Sequence, residues 1–134
     1  MESVLPFYKR TINEEMKMGT YKELEVWINS IKLVKDVYKN TSGFPKEELY
    51  SLTNQIRRPG VLIPANISEG SGRMQPKEFI YFLRISFGSL IELETLLLIS
   101  LELDFLDKKT HEVLLTQIKI ITVQLSRLIK ALKN

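Results

Sequence analysis

Between Phe79 and Leu101 the chain carries 15 apolar residues in 23, spread almost all the way round a helical axis. A helix facing one core needs about three apolar residues in seven. The excess requires a second buried surface, which in a soluble protein means association with another chain. Gly88 and Ser89 would let a second backbone approach closely, although the glycine costs the helix ~1 kcal/mol. Pro76 suits a first helical turn, so a helix is predicted over 76–102.

Three further helices supply its partners. From Tyr21 to about Asn40, Leu24, Trp27, Ile31, Val34 and Tyr38 recur at steps of three and four, the pattern of an amphipathic helix. Gly43 and Pro45 end it and start the next, over about 46–70, where Leu49, Leu52, Ile56, Ile63 and Ile67 share one side. Pro59 and Pro64 each remove an amide donor and crowd the carbonyl four residues back, which predicts a bend near 55–60. Asp107 is a good N-cap for the last helix. There Leu114, Ile118, Ile121, Leu125, Leu128 and Leu132 form a seam of coiled-coil spacing.

At 134 residues the chain supports one core. The expected fold is all-α, an up-down-up-down left-handed four-helix bundle over residues 21–134. An N-terminal extension, residues 1–20, precedes it; its Thr11–Lys17 portion reads equally as a short helix or a loose tail.

Along the flank of the second helix runs a polar row, Gln55, Arg58, Asn66, Glu69 and Arg73. Left unpaired at a core boundary, each such group costs on the order of 1–3 kcal/mol. The row is therefore expected to meet partners across helices or subunits. The same stretch, QIRRPGVLIPANISEGSGR, followed by FGSLIELE at 87–94 and preceded by YKELEVW at 21–27, resembles the 23S ribosomal RNA intervening-sequence proteins. Accessory proteins of diversity-generating retroelements share that fold. Two departures are Pro59-Gly60, where small helix formers are usual, and Ser68, where alanine is common. The resemblance implies a bundle assembling into a homo-oligomeric ring, often a pentamer, and an association with RNA or a reverse transcriptase.

Enzyme chemistry finds little to build on. Without cysteine there are no disulfides, thiol nucleophiles or thiolate metal sites. Glu94 reads either as a carboxylate with a raised pKa or, better, as one paired with Arg58, Arg73 or Arg127 across an interface. Glu92 and Glu69 suggest a di-metal site, but bundles build those from Glu-x-x-His motifs, and the one histidine, His111, completes none. Ser86, Ser89 and Ser100 have no histidine placed for a triad. Asn66 with Glu69 reads as a catalytic amide and acid or, preferably, as a pair hydrogen-bonding between helices or subunits to fix the register. Gly70-Ser71-Gly72 follows a helix and is not a phosphate-cradling loop. No cofactor, metal or small-molecule substrate is expected.

Charge is more informative in its distribution than in its total of +3. Residues 74–107 hold two basic and six acidic groups, whereas 108–134 hold six basic and one acidic. Lys108, Lys109, Lys119, Arg127, Lys130 and Lys133 fall within an arc of about 120° opposite the apolar seam. They form either a solvated face or a phosphate-binding patch, which Arg57 joins if assembly brings it alongside. With no aromatic interleaving, phosphate contact is expected in place of base stacking. No segment approaches the roughly 20 apolar residues of a bilayer span, and no signal-peptide pattern opens the chain, so a cytoplasmic protein is expected. The sequence thus predicts a non-enzymatic oligomeric adaptor for structured RNA or an RNA-associated protein; the alternative is an oligomeric scaffold binding protein alone.

Overall fold

The computed structural model describes residues 20–134; the Thr11–Lys17 portion of the extension lies outside them. Four α-helices dominate: α1 (Glu25–Thr41), α2 (Asn54–Gly72), α3 (Pro76–Glu102) and α4 (Lys108–Lys133). No strand occurs among the described residues. The helices pack α1 on α2, α2 on α3, α3 on α4 and α4 on α1, around one apolar core. This is the expected all-α bundle. No helix among the described residues is long and apolar enough to cross a membrane.

The two longest helices begin where local chemistry dictates. Pro76 occupies the first turn of α3, where its missing amide would have had no partner. Asp107 caps α4: its carboxylate accepts the Thr110 amide at 2.7 Å and the Thr110 hydroxyl at 3.1 Å. Those two bonds, the amide first, hold the Asp107 pKa below the ordinary aspartate value. A lowered folded-state pKa contributes stability that is present above the unfolded value and lost as pH falls through the folded one. Asp107→Ala should therefore lower the melting temperature by a few degrees at neutral pH. The gap to the parent should close in acid, as thermal melts across pH 2–7 would show.

α1 buries a different face from the one expected. Val26, Ser30, Leu33, Val37 and Thr41 point inward, while Ile31 and Tyr38 of the predicted row are exposed. Two rows competed, and the less apolar one won because its hydroxyls bond to their own helix. Ser30 donates to the Trp27 carbonyl at 2.7 Å and Thr41 to that of Val37 at 2.8 Å. So satisfied, they cost little to bury, and their small size lets α1 sit close. Trp27 and Leu24 still reach the core from the edge of the outer row, with Tyr21 edge-on to Trp27.

The break in the second helical segment is also displaced. It falls at Ser51 (φ −125°, ψ −109°), inside a π-type turn over Leu49–Thr53, and not at 55–60. α2 runs unbroken through Pro59 and Pro64, both buried. Each proline forfeits one backbone bond, but α2 is held by its extensive packing on α3. The break also takes Leu49 out of phase, leaving it exposed instead of on the core stripe.

At Gly70 α2 and α3 approach each other closely. A Cβ there would lie 2.7 Å from Phe82 Cβ and 3.0 Å from the Phe79 ring. Overpacking of this kind costs about 1–3 kcal/mol, against a gain of up to ~1 kcal/mol in helix propensity. Phe82 Cβ is tied to its backbone and cannot swing away, so overlap wins. Gly70→Ala should lower stability by about 1 kcal/mol or more, measurable by denaturant unfolding. Higher up the same interface, the buried Ser86 hydroxyl donates to the Ile63 carbonyl at 2.9 Å, tying α3 to α2. The left-handed residue beyond α2 is Met74 (φ 61°), although Gly72 stands nearby.

Candidate nucleic-acid interface

The buried seam of α4, Leu114, Ile118, Ile121, Leu125 and Leu128, turns the opposite side of the helix to solvent. Lys108, Lys109, Lys119, Arg127, Lys130 and Lys133 are all exposed there. Among the described residues the ion pairs are those of Arg73 with Glu69 and Glu78, so none of the six cations is in an ion pair. Lys130 and Lys133 sit in the last turn, where a cation favours the helix dipole. Lys108 and Lys109 sit in the first turn, where it costs ~0.3–1 kcal/mol. Lys109 is partly offset by the charge of Asp107, so helix stability leaves Lys108 unaccounted for. The face is not purely charged: Val113, Ile120 and Val123 are exposed on it, as is Glu112.

The structure extends this face onto α1. Asn29 Nδ2 donates to Gln124 Oε1 and Gln117 Nε2 to Asp36 Oδ2, both at 3.0 Å. As numbering rises along α1 it falls along α4, so the two helices run antiparallel. The row Asn29, Lys32, Asp36 and Lys39, at steps of three and four, borders α4, with Lys32 and Lys39 exposed. Sequence reading missed this row. Its signal was the seven-residue spacing of Asn29 to Asp36 matched by that of Gln117 to Gln124.

Within the single chain Arg57 lies apart from the patch. Its Nε donates to Thr41 Oγ1 at 3.0 Å and its Nη2 to the Tyr38 carbonyl at 3.4 Å, with the guanidinium 4.5 Å from the Tyr38 ring centre. It clamps α2 to the last turn of α1, where helix carbonyls welcome a cation. Tyr38 and Thr41 lie on the flank of α1 facing α2, away from the Asn29–Asp36 row.

Among the described residues the polar row of α2 bonds mostly within its own helix, with Arg73 also reaching α3. Asn66 Nδ2 donates to the Leu62 carbonyl of its own helix at 2.8 Å. Glu69 pairs with Arg73 one turn on at 2.9 Å, Arg73 reaches Glu78 at 3.8 Å, and its guanidinium lies 4.9 Å from the Phe82 ring centre. These ion pairs are about half exposed and worth at most ~1 kcal/mol each. Gln55 and Arg58 are exposed, as are Glu92 and Glu94. Glu94 takes no ion-pair partner among the described residues, and Arg73, one partner foreseen for it, is occupied by Glu69 and Glu78. His111 is half-buried. No group of three or more His, Asp or Glu among the described residues is placed to hold a metal ion.

The outer side of α3 exposes apolar side chains interspersed with Arg84, Glu92 and Thr95. Tyr81, Ile91, Leu98 and Ile99 are 62%, 53%, 49% and 42% exposed, and Gly88 between them faces open space. Comparison with curated proteins returns no match. The family model described as 23S rRNA-intervening sequence protein matches residues 22–127, from the turn before α1 to the penultimate turns of α4. With four-fifths of its length so matched, the chain belongs to the 23S rRNA-intervening sequence protein family.

Proposed function

We propose that this protein is a non-enzymatic adaptor that assembles with copies of itself and holds structured RNA through phosphate contacts. The observation carrying this is the set of six exposed cations on α4, none in an ion pair among the described residues, continued by Lys32 and Lys39 on α1. The family name, with its reference to ribosomal RNA, points the same way. Phosphate contacts position a protein on a duplex without reading its sequence, so affinity for structure with little preference for sequence is expected.

The outer side of α3 is the surface proposed for a second copy, closing subunits into a ring, with a pentamer as the proposed size. Repeating the patch around a ring multiplies weak contacts by avidity. The non-enzymatic part is supported by where the candidate groups are spent. Ser86 and Ser100 donate to the carbonyls of Ile63 and Leu96, and Asn66 to that of Leu62. Sedimentation velocity tests the whole reading. The protein should sediment as a multiple of 15.6 kDa and carry a structured RNA with it at low salt. Assembly without RNA would favour a scaffold for protein alone, and a monomer would remove the ring.

A further inference from the structure

A hollow borders the basic face where α1 meets α4. Between α1 and α4 a cavity of about 330 Å³ opens to solvent, lined by Asn29, Lys32, Asp36, Gln117, Ile120 and Ile121. That lies at the low end of the ~300–1,000 Å³ typical of small-molecule sites. Hydrogen bonds aim its polar groups. Gln117 holds one oxygen of Asp36, and Gln124 holds the Asn29 amide.

The bland account is that these two rungs fix the register of α1 against α4. It covers Asn29, Gln117 and Gln124, and leaves two groups that solvent reaches open to a ligand. Asp36 Oδ1 accepts no hydrogen bond from a described residue, and the Lys32 ammonium has neither an ion pair nor a hydrogen bond among them. The two residues are four apart, so a donor and an acceptor share one face of α1 about one turn apart. Ile121, buried, and Ile120, half exposed, give the hollow an apolar wall.

We propose that this hollow takes the guanine base of an unpaired nucleotide in the RNA held on the basic face. The inference rests on the RNA-binding reading and adds to it a preference that phosphate contacts cannot supply. Guanine's pairing edge sets a carbonyl acceptor beside two N–H donors. The Asp36 carboxylate accepts from both donors, and Lys32 donates to the carbonyl. Adenine would turn a ring-nitrogen lone pair on the carboxylate, while cytosine and uracil each offer it fewer donors. In a base pair that edge is occupied, so only a base from a loop or bulge can enter, the usual target of base-specific RNA recognition. No aromatic ring lines the hollow, so the base is held by its edge.

The test uses the intact protein, titrated with guanosine 5′-monophosphate and adenosine 5′-monophosphate at fixed ionic strength. The readout is the side-chain amide NMR signals of Asn29, Gln117 and Gln124. The guanine nucleotide should shift them saturably and bind about tenfold more tightly or better, the discrimination of one bidentate base contact. Asp36→Asn should abolish that preference, and Ile120→Trp should fill the hollow and block both nucleotides. Melting temperatures close to the parent's would establish that both variants are folded. Equal binding of the two nucleotides, or a preference that survives Asp36→Asn, would overturn the proposal. Failure of the underlying reading shows separately, as RNA not retained at low salt by a protein that still distinguishes the mononucleotides.

Discussion

Ile91→Glu combined with Leu98→Glu should yield a folded protein that sediments at 15.6 kDa where the parent sediments as an assembly. In the single chain both side chains are about half exposed, and exposed substitutions seldom move stability by more than ~0.5 kcal/mol. At an interface the balance is different. Each lost apolar side chain forfeits about 25 cal/mol per Å² of area it would have buried, and each introduced carboxylate must be desolvated at several kcal/mol unless a cation meets it. Together they should raise the dissociation constant by more than about a hundredfold, since each 1.4 kcal/mol is a factor of ten. Gly88 offers a finer probe, because a Cβ there meets nothing within 4 Å in the single chain. A larger residue at Gly88 should disturb assembly only if a second backbone lies against it. Full assembly by the double variant would move the interface off α3.

The second large effect is expected from Arg127→Glu with Lys130→Glu. Both residues are exposed on α4 and free of ion pairs among the described residues, so the fold should be spared. The double reversal changes each subunit by four charges. Every phosphate contact releases counterions and contributes about −0.9 to the slope of log K against log salt. Removing two should flatten that slope by about two units for each subunit engaged and weaken binding at low salt by a hundredfold or so. Relative affinities among RNA sequences should change little. Arg57→Ala is the contrast: with its guanidinium spent on Thr41 and Tyr38, it should lower stability and leave the salt slope unaltered.

How far the sequence could be read depended on whether the deciding chemistry was local. α3 and α4 came out with the expected ends because Pro76 and Asp107 act within one turn. α1 was placed correctly but turned wrongly. Its buried row contains Ser30 and Thr41, and their low cost appears only once they bond to backbone carbonyls. The bend was sought at Pro59, the strongest local breaker, yet packing on α3 carried the helix through and the break settled at Ser51. The packing role of Gly70 was not legible, since a close helix crossing depends on which phenylalanine faces it. Of the interface, the α4 cations were legible from periodicity alone. Their continuation on α1 was not, because it depends on Asn29 meeting Gln124 and Asp36 meeting Gln117 across two helices far apart in sequence.

Binding of the parent protein to a structured RNA at several salt concentrations tests the central claim most directly. The account predicts a linear fall of log K with log salt, with a slope steeper than about −3, as several phosphate contacts per assembly require. It also predicts the same slope for RNAs of unrelated sequence but similar fold. No binding at low salt, or binding whose strength ignores salt, would contradict it.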